Sequence, residues 1–439
     1  MSIIDFRRPT VFTDPPAVAP PLWTALPRAA WPFLVALAFA LVMQFAVAPH
    51  INQYIASVMI NCGIWIILAI SLTVVNGFTG QFSIGHAGFL CLGGYVAAAV
   101  VYYGTYHFFG DFDFHGGRLS FGGIGASPTA WFTWGDTLFL AACLVGALVC
   151  AGVGWLVGLP SLRLRGDYLA IVTLGFGEII CILMQSTPEQ LSNWSDTPIT
   201  DVSFPKQFIH LGGALGFFGN PVYTTMFWVW LFAAITLVVT IRLKYSGYGR
   251  AMLSIREDEI AAQAVGVNIT RLKVRAFVYS AFIAGFGGGL YAMNLGTINS
   301  ADLGFQKSFD LVIMVVLGGM GSISGAAIAA VILTVLQELL QSPPSLWPWG
   351  FVAAAVLAVM IYFCSSKPRK PLIVLASLCV IWETMRWVAQ LTHQQLSDYR
   401  MVIYALALIV MMILRPQGFF GTREIWSYLP RWRRRRDAR

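Results

Sequence analysis

The chain has 439 residues, 57% of them hydrophobic and 11% charged, against about 25% charged residues in a soluble domain, so its surface belongs in lipid. The formal net charge of +8 does not point to nucleic acid. Many of the basic residues collect at Arg242 to Arg275, at Lys367, Arg369 and Lys370, and in the tail from Arg415, as on the inner flanks of membrane spans.

In chain order, residues 1–30 are proline-rich and form an N-terminal segment ahead of a first apolar run at 31–48. That run ends at Ala46-Val47-Ala48, a faint likeness to a signal-peptidase site, but its long flank and full length predict an uncleaved span. A span needs about 20 apolar residues. Runs near 31–48, 54–75, 87–106, 137–159, 168–187, 222–241, 275–295, 308–320, 324–341, 350–364, 371–390 and 401–414 predict an all-α, polytopic transmembrane helical bundle of about 10–12 spans. The runs at 308–320 and 350–364 are short for a crossing and are expected to be half-helices or re-entrant.

Loop charge sets the sidedness. Segments 107–136 and 188–221 carry Asp111, Asp113, Asp136, Glu189, Asp196 and Asp201 against Arg118 and Lys206, and are expected outside. Arg163, Arg165, the Arg242 to Arg275 stretch and the basic tail fall on the opposite side. Twelve crossings would put both termini in the cytoplasm.

The stretch Val75 to Gly85 matches Val316 to Gly325 in pattern: an apolar run, a G-x-x-G step, then Ser-Ile and another glycine. Paired glycine-broken segments are expected of transporters built from repeats; glycines packing helices together would leave the same trace. Asn76, Thr79, Gln81, Ser83 and His86 lie between two apolar runs, interleaved with Gly77, Gly80 and Gly85. Polar backbone at that depth needs shielding from lipid, so Asn76, Gly77, Thr79, Gly80, Gln81, Ser83 and His86 are candidates for lining the substrate pathway. Glu178 is a further candidate: it falls mid-span with no sequence-local partner, whereas Glu383 and Arg386, one turn apart, neutralise each other.

The inward loop 242–274 contains Ser254 to Gly266, predicted to be a short autonomous helix. Ser254 and Glu257 would form its capping box, Glu257 to Glu259 would sit at its positive end, and Gly266 would stop it. Ile260, Ala261, Ala264 and Val265 would form a narrow apolar stripe suited to a partner's groove.

No chemistry of its own is expected of the chain. It has no Gly-x-x-x-x-Gly-Lys-Ser/Thr loop, no H-E-x-x-H zinc site and no Gly-x-Ser-x-Gly elbow, so neither ATPase nor protease signatures are present. The seven cysteines sit in apolar runs without a C-x-x-C pair and are expected to be small core residues rather than disulfides or metal ligands. No cofactor is expected and no metal.

Three stretches together, Gly77 to Gly88, Leu162 to Ala170, and Gly249 to Gly266, with Gly285 to Ala292 and Arg415-Pro416-Gln417-Gly418 in support, carry a resemblance. The chain resembles LivM-type permease subunits of branched-chain amino acid ABC importers. The resemblance implies a bacterial inner-membrane subunit without an ATPase site. It would work beside a LivH-type second permease, two LivG/LivF-type ATP-binding subunits and a periplasmic substrate-binding protein. It further implies that Glu259-Ile260-Ala261-Ala262 and Gly266 look like the E-A-A…G loop that meets the ATPases. Arg256, Asp258, Glu259, Ala261, Ala262 and Gly266 would then transmit ATP-driven motion. Against the family pattern, 343–397 is an extra apolar hairpin between the permease domain at 31–342 and the last span and exit at 398–421, which the basic tail 422–439 follows. Urea and short amides are the alternative solutes, and an ion-coupled secondary transporter or channel is the alternative class.

Overall fold

The computed structural model describes residues 22–121, 128–161, 167–192, 199 and 202–341, together with Gly418, Gly421, Glu424 and Ile425. These form twelve α-helices: α1 Leu22–Val42, α2 Gln53–Thr73, α3 His86–Phe109, α4 Trp134–Ser161, α5 Asp167–Gln185, α6 Phe204–Gln207, α7 Met226–Tyr245, α8 Gly247–Glu257, α9 Glu259–Ala264, α10 Ile269–Leu295, α11 Phe305–Gly318 and α12 Ile323–Gln341. No strand occurs among the described residues, only a bridge between Phe217 and Ile298. The chain is the polytopic helical bundle that its composition predicts.

Among the described residues, seven helical segments are long and apolar enough to cross a membrane: Ala30–His50, Gln53–Phe78, His86–Phe109, Trp134–Leu159, Tyr168–Gln185, Met226–Tyr245 and Ile269–Leu295. The run at 308–320 is α11, whose 14 residues reach about 21 Å at 1.5 Å per residue, too little for a full crossing. The runs at 350–364, 371–390 and 401–414, and with them Cys364, Cys379, Glu383 and Arg386, lie outside the described residues. The other five cysteines are free and buried.

Helix α10 runs through the middle of the bundle against α3, α4 and α2, while α12 and α7 flank α2 and α1 lies against α7. Most of α2 and α3 is buried, whereas α1 is largely exposed, with Trp31, Leu34 and Val42 outward. The central helices touch backbone to backbone: a Cβ on Gly93 of α3 would lie 2.3 Å from the carbonyl oxygen of Gly285 on α10. In lipid, where apolar tails offer no hydrophobic drive between helices, such small-residue contacts supply the packing. At the end where α3 finishes and α4 starts, the buried Asp136 carboxylate accepts the Gly117 and Thr133 amides at 2.9 and 2.8 Å, tying the intervening loop to α4.

Candidate functional site: two glycine breaks and the helices beneath them

Helix α2 does not simply stop. It loosens into a π-helical turn at Val74–Phe78, and the chain then runs without regular structure until α3 begins at His86. Asn76 closes this break by accepting the Ser83 amide at 3.1 Å and donating to the Ser83 carbonyl at 3.3 Å. Thr79 donates to the Val75 carbonyl at 2.8 Å, and its hydroxyl oxygen lies 3.2 Å from the Gln81 side-chain amide. Asn76, Thr79, Gln81, Ser83 and His86 are all buried. In the single chain these polar side chains face their own break and its neighbours.

His86 is the deepest of them. Its Nε2 lies 2.9 Å from the Ser71 hydroxyl and 3.0 Å from the Ser280 hydroxyl. Each hydroxyl has one proton, and both protons are committed: Ser71 donates to the Ser280 carbonyl at 2.7 Å and Ser280 to the Ser71 carbonyl at 2.5 Å. His86 Nε2 must therefore be the donor, which fixes the tautomer and leaves Nδ1 as a bare acceptor with no partner among the described residues. The imidazole thus ties α3 to α2 and α10.

Glu178 sits half-buried on α5. A Cβ on Gly304 would come within 3.2 Å of its Oε1, so the missing side chain leaves space for the carboxylate just before α11. One turn away, α5 touches the first break, where Thr173 Oγ1 accepts the Ile84 amide at 3.1 Å.

The second break, between α11 and α12, passes through Gly319 and Gly321 at φ +109° and +100°, a region that a residue with a Cβ rarely enters. It meets the first break directly, since a Cβ on Gly77 would lie 2.6 Å from the Gly321 nitrogen. One side chain bridges the two: Arg256 Nη1 donates to the Gly77 carbonyl at 2.9 Å and to the Met320 carbonyl at 3.1 Å. Lys244, at the end of α7, donates to the Gly321 carbonyl at 2.6 Å and pairs with Glu424. Glu424 in turn accepts the Ile323 and Ser324 amides at 3.0 and 2.9 Å, where a carboxylate satisfies the open N–H groups and the dipole of α12. Burial pushes the Glu424 carboxyl up, but the Lys244 ammonium and the Ser324 donors outweigh it and hold the group below its ordinary value.

The helix expected at Ser254 to Gly266 differs from expectation at its start. Ser254 is not a cap: it lies inside α8, and its hydroxyl donates to the Ala251 carbonyl at 2.9 Å. Helix α8 starts earlier, at the Ser246 cap, and is anchored by buried Met252 and Ile255. The chain breaks at Asp258, whose Oδ1 accepts the Ile260 and Ala261 amides at 2.8 and 3.1 Å, so α9 is only six residues long. Gly266 follows it at φ +86°. Glu259 pairs with Lys273 of α10 and Ala262 is buried, while Ile260 and Val265 are 81% and 78% exposed. Arg256 therefore points into the bundle, Asp258 and Glu259 shape α9, and Ile260, Ala261, Ala264 and Val265 face outward. Of Leu162 to Ala170, the described part is the start of α5.

Sequence reasoning did not single out Ser71, Ser280, Lys244 or Glu424. No local signal marks them, because each acts on a segment distant in the chain. Among the described residues no group of three or more His, Cys, Asp or Glu could hold a metal ion.

A model of the family described as branched-chain amino acid transport system, permease component, matches residues 54–347. The high-affinity branched-chain amino acid transport system permease protein LivM of Salmonella typhimurium is 35% identical over 294 residues, covering 63% of this chain and 61% of that protein. LivM of Escherichia coli is 34% identical over 325 residues, 70% and 68% of the two chains. The permease protein LivH of Salmonella typhimurium is 28% identical over 277 residues, 62% of this chain and 80% of that one. The chain thus spans less than two thirds of the length of the Salmonella LivM relative. No solved structure matches.

Proposed function

The chain belongs to the family of branched-chain amino acid transport system permease components, and from that premise we propose that it is the membrane-crossing permease subunit of an ABC importer for branched-chain or related neutral amino acids. Energy enters from separate ATP-binding subunits, which dock on the outward stripe of α9 on the cytoplasmic side. A second permease of the LivH type completes the path, and a periplasmic binding protein delivers the solute. Both termini lie in the cytoplasm.

The observation that carries this reading is the Arg256 bridge. Helix α8 leads directly into α9, and its Arg256 holds the Gly77 and Met320 carbonyls together. A push on α9 is thereby delivered to both glycine breaks at once. Backbone freed from regular helix is where a transporter shields and releases its solute. The segment Asn76 to His86 shapes the path, and Glu178, its carboxylate seated against Gly304, faces it. Packed elements of this kind switch between discrete arrangements rather than deforming smoothly, which suits alternating access.

The test is uptake by the chain reconstituted with its permease partner, ATPases and binding protein. Leucine accumulation that needs ATP and all four kinds of subunit supports the proposal. Equal uptake by the chain alone under a proton or sodium gradient defeats it, and urea uptake in place of leucine would overturn the solute assignment.

A further inference from the structure

A groove of about 690 Å³ runs between α4 and α10 on the surface of the bundle. Its walls are two helix stripes at four-residue spacing, Ala151, Trp155 and Leu159 on α4 and Val274, Val278 and Phe282 on α10. Trp155 and Leu159 are 51% and 43% exposed, so the groove opens sideways at the surface of the described chain. Its mouth carries Arg271 and Arg275, one turn apart in the first turns of α10. Among the described residues, no carboxylate lines it.

The cations between residues 244 and 275 differ in how they are used. Lys244 is paired with Glu424 and Lys273 with Glu259, and Arg256 is committed to two carbonyls. The Arg271 side chain makes no hydrogen bond or ion pair among the described residues. Arg275 lies over the Tyr248 ring of α8, 5.5 Å from its centroid, which orients the guanidinium without neutralising it. From Arg271 to Phe282 the helix rises about 16 Å, roughly half the thickness of the hydrocarbon core.

We propose that this groove is a binding site for an anionic phospholipid, the phosphate held by Arg271 and Arg275 and one acyl chain laid along Val274, Val278 and Phe282 against Trp155. Two guanidiniums at the polar boundary match a phosphate. The apolar walls beneath would give a soluble phosphate nothing to bind, and basic pockets between spans take acidic head groups. Through Tyr248 the head group bears on α8, so the site also supports the helix that carries Arg256. The lipid site stands independently of the importer reading, because it needs only that the bundle lie in a bilayer.

The test places the full-length chain in phosphatidylcholine nanodiscs doped with acyl-brominated phosphatidylglycerol or acyl-brominated phosphatidylcholine. Trp155 fluorescence is isolated by subtracting the Trp155→Phe protein. Brominated phosphatidylglycerol is expected to quench Trp155 at a mole fraction on the order of tenfold lower than brominated phosphatidylcholine. The preference is expected to vanish in Arg271→Gln/Arg275→Gln and persist in Arg271→Lys/Arg275→Lys, which keeps the charge and controls for folding. Equal quenching by the two lipids would reduce the groove to ordinary annular surface and overturn the proposal. So would the absence of quenching by either, the result expected if the 343–397 hairpin or a second permease covers the groove. Displacement of the brominated phosphatidylglycerol by inorganic phosphate would overturn the lipid assignment.

Discussion

Arg256 and Gly77 are 179 residues apart in sequence, yet the Arg256 guanidinium donates to the Gly77 carbonyl at 2.9 Å, and the same nitrogen reaches Met320 at 3.1 Å. A lysine carries the same charge but as a point on a flexible stem, without the planar fork. Arg256→Lys is expected to lose one charge-assisted hydrogen bond of about 1.5–3 kcal/mol, and coupled uptake with it by on the order of tenfold. ATP hydrolysis by the assembled complex is expected to continue. Parallel measurement of uptake and phosphate release checks this, and uptake that stays in proportion to hydrolysis would show that Arg256 does not couple the two.

The outward stripe of α9 makes a separate prediction. Ile260 and Val265 are among the most exposed large apolar residues of the described chain, and neither supports the fold beneath it. Ile260→Asp is expected to leave the thermal midpoint of the purified chain unchanged while weakening its association with the ATP-binding subunits, read as loss of co-purification. A central apolar anchor in an interface typically contributes about 2 kcal/mol or more. Retention of the subunits at wild-type level would remove α9 as their docking site.

These two residues mark what was legible in the sequence. The exposed stripe follows from local spacing, as do the long apolar helices and the two glycine breaks with their shared pattern. The Arg256 bridge does not, because its partners are main-chain carbonyls distant in sequence and any residue can present a carbonyl. Glu424 was equally hidden in a basic tail, and it meets Ser324 from 100 residues away. The start of α9 failed for a different reason. Ser254 and Asp258 are both good caps, and what decides between them is the burial of Met252 and Ile255, which extends α8 past Ser254. Glu178 was visible as an ionisable group at membrane depth, but the space that Gly304 leaves beside it appears only once α5 and α11 are packed.

The Glu424 latch carries a pH dependence. Its carboxyl is held below the ordinary value of 4.5, with Lys244 and Ser324 outweighing the opposing effect of burial. A group whose folded value is depressed adds stability above its unfolded value and loses it as the pH falls through the folded one. The latch is therefore expected to be intact at neutral pH and to weaken only in acid, below about 4.5. Thermal midpoints of wild type and Glu424→Gln across pH should differ by a constant amount above that value and converge below it. Breaking one side of a buried pair costs about 3–5 kcal/mol. A difference that grows as the pH falls would contradict the sign.

His86 separates shaping a path from touching solute. Its Nε2 proton is shared between the Ser71 and Ser280 hydroxyls, whose own protons go to each other's carbonyls, so removing the ring leaves both oxygens buried with unused acceptor capacity. His86→Leu is expected to destabilise the chain by about 1–3 kcal/mol, seen as a lower thermal midpoint and less assembled complex. The fraction that assembles should keep the wild-type KM for leucine, because the ring faces α2 and α10 and is 1% exposed. His86→Gln, which can still donate to one hydroxyl, should recover part of the stability. A changed KM or altered preference among neutral amino acids at normal stability would instead place His86 in contact with the solute, and the α2–α3 break would then line the path rather than shape it.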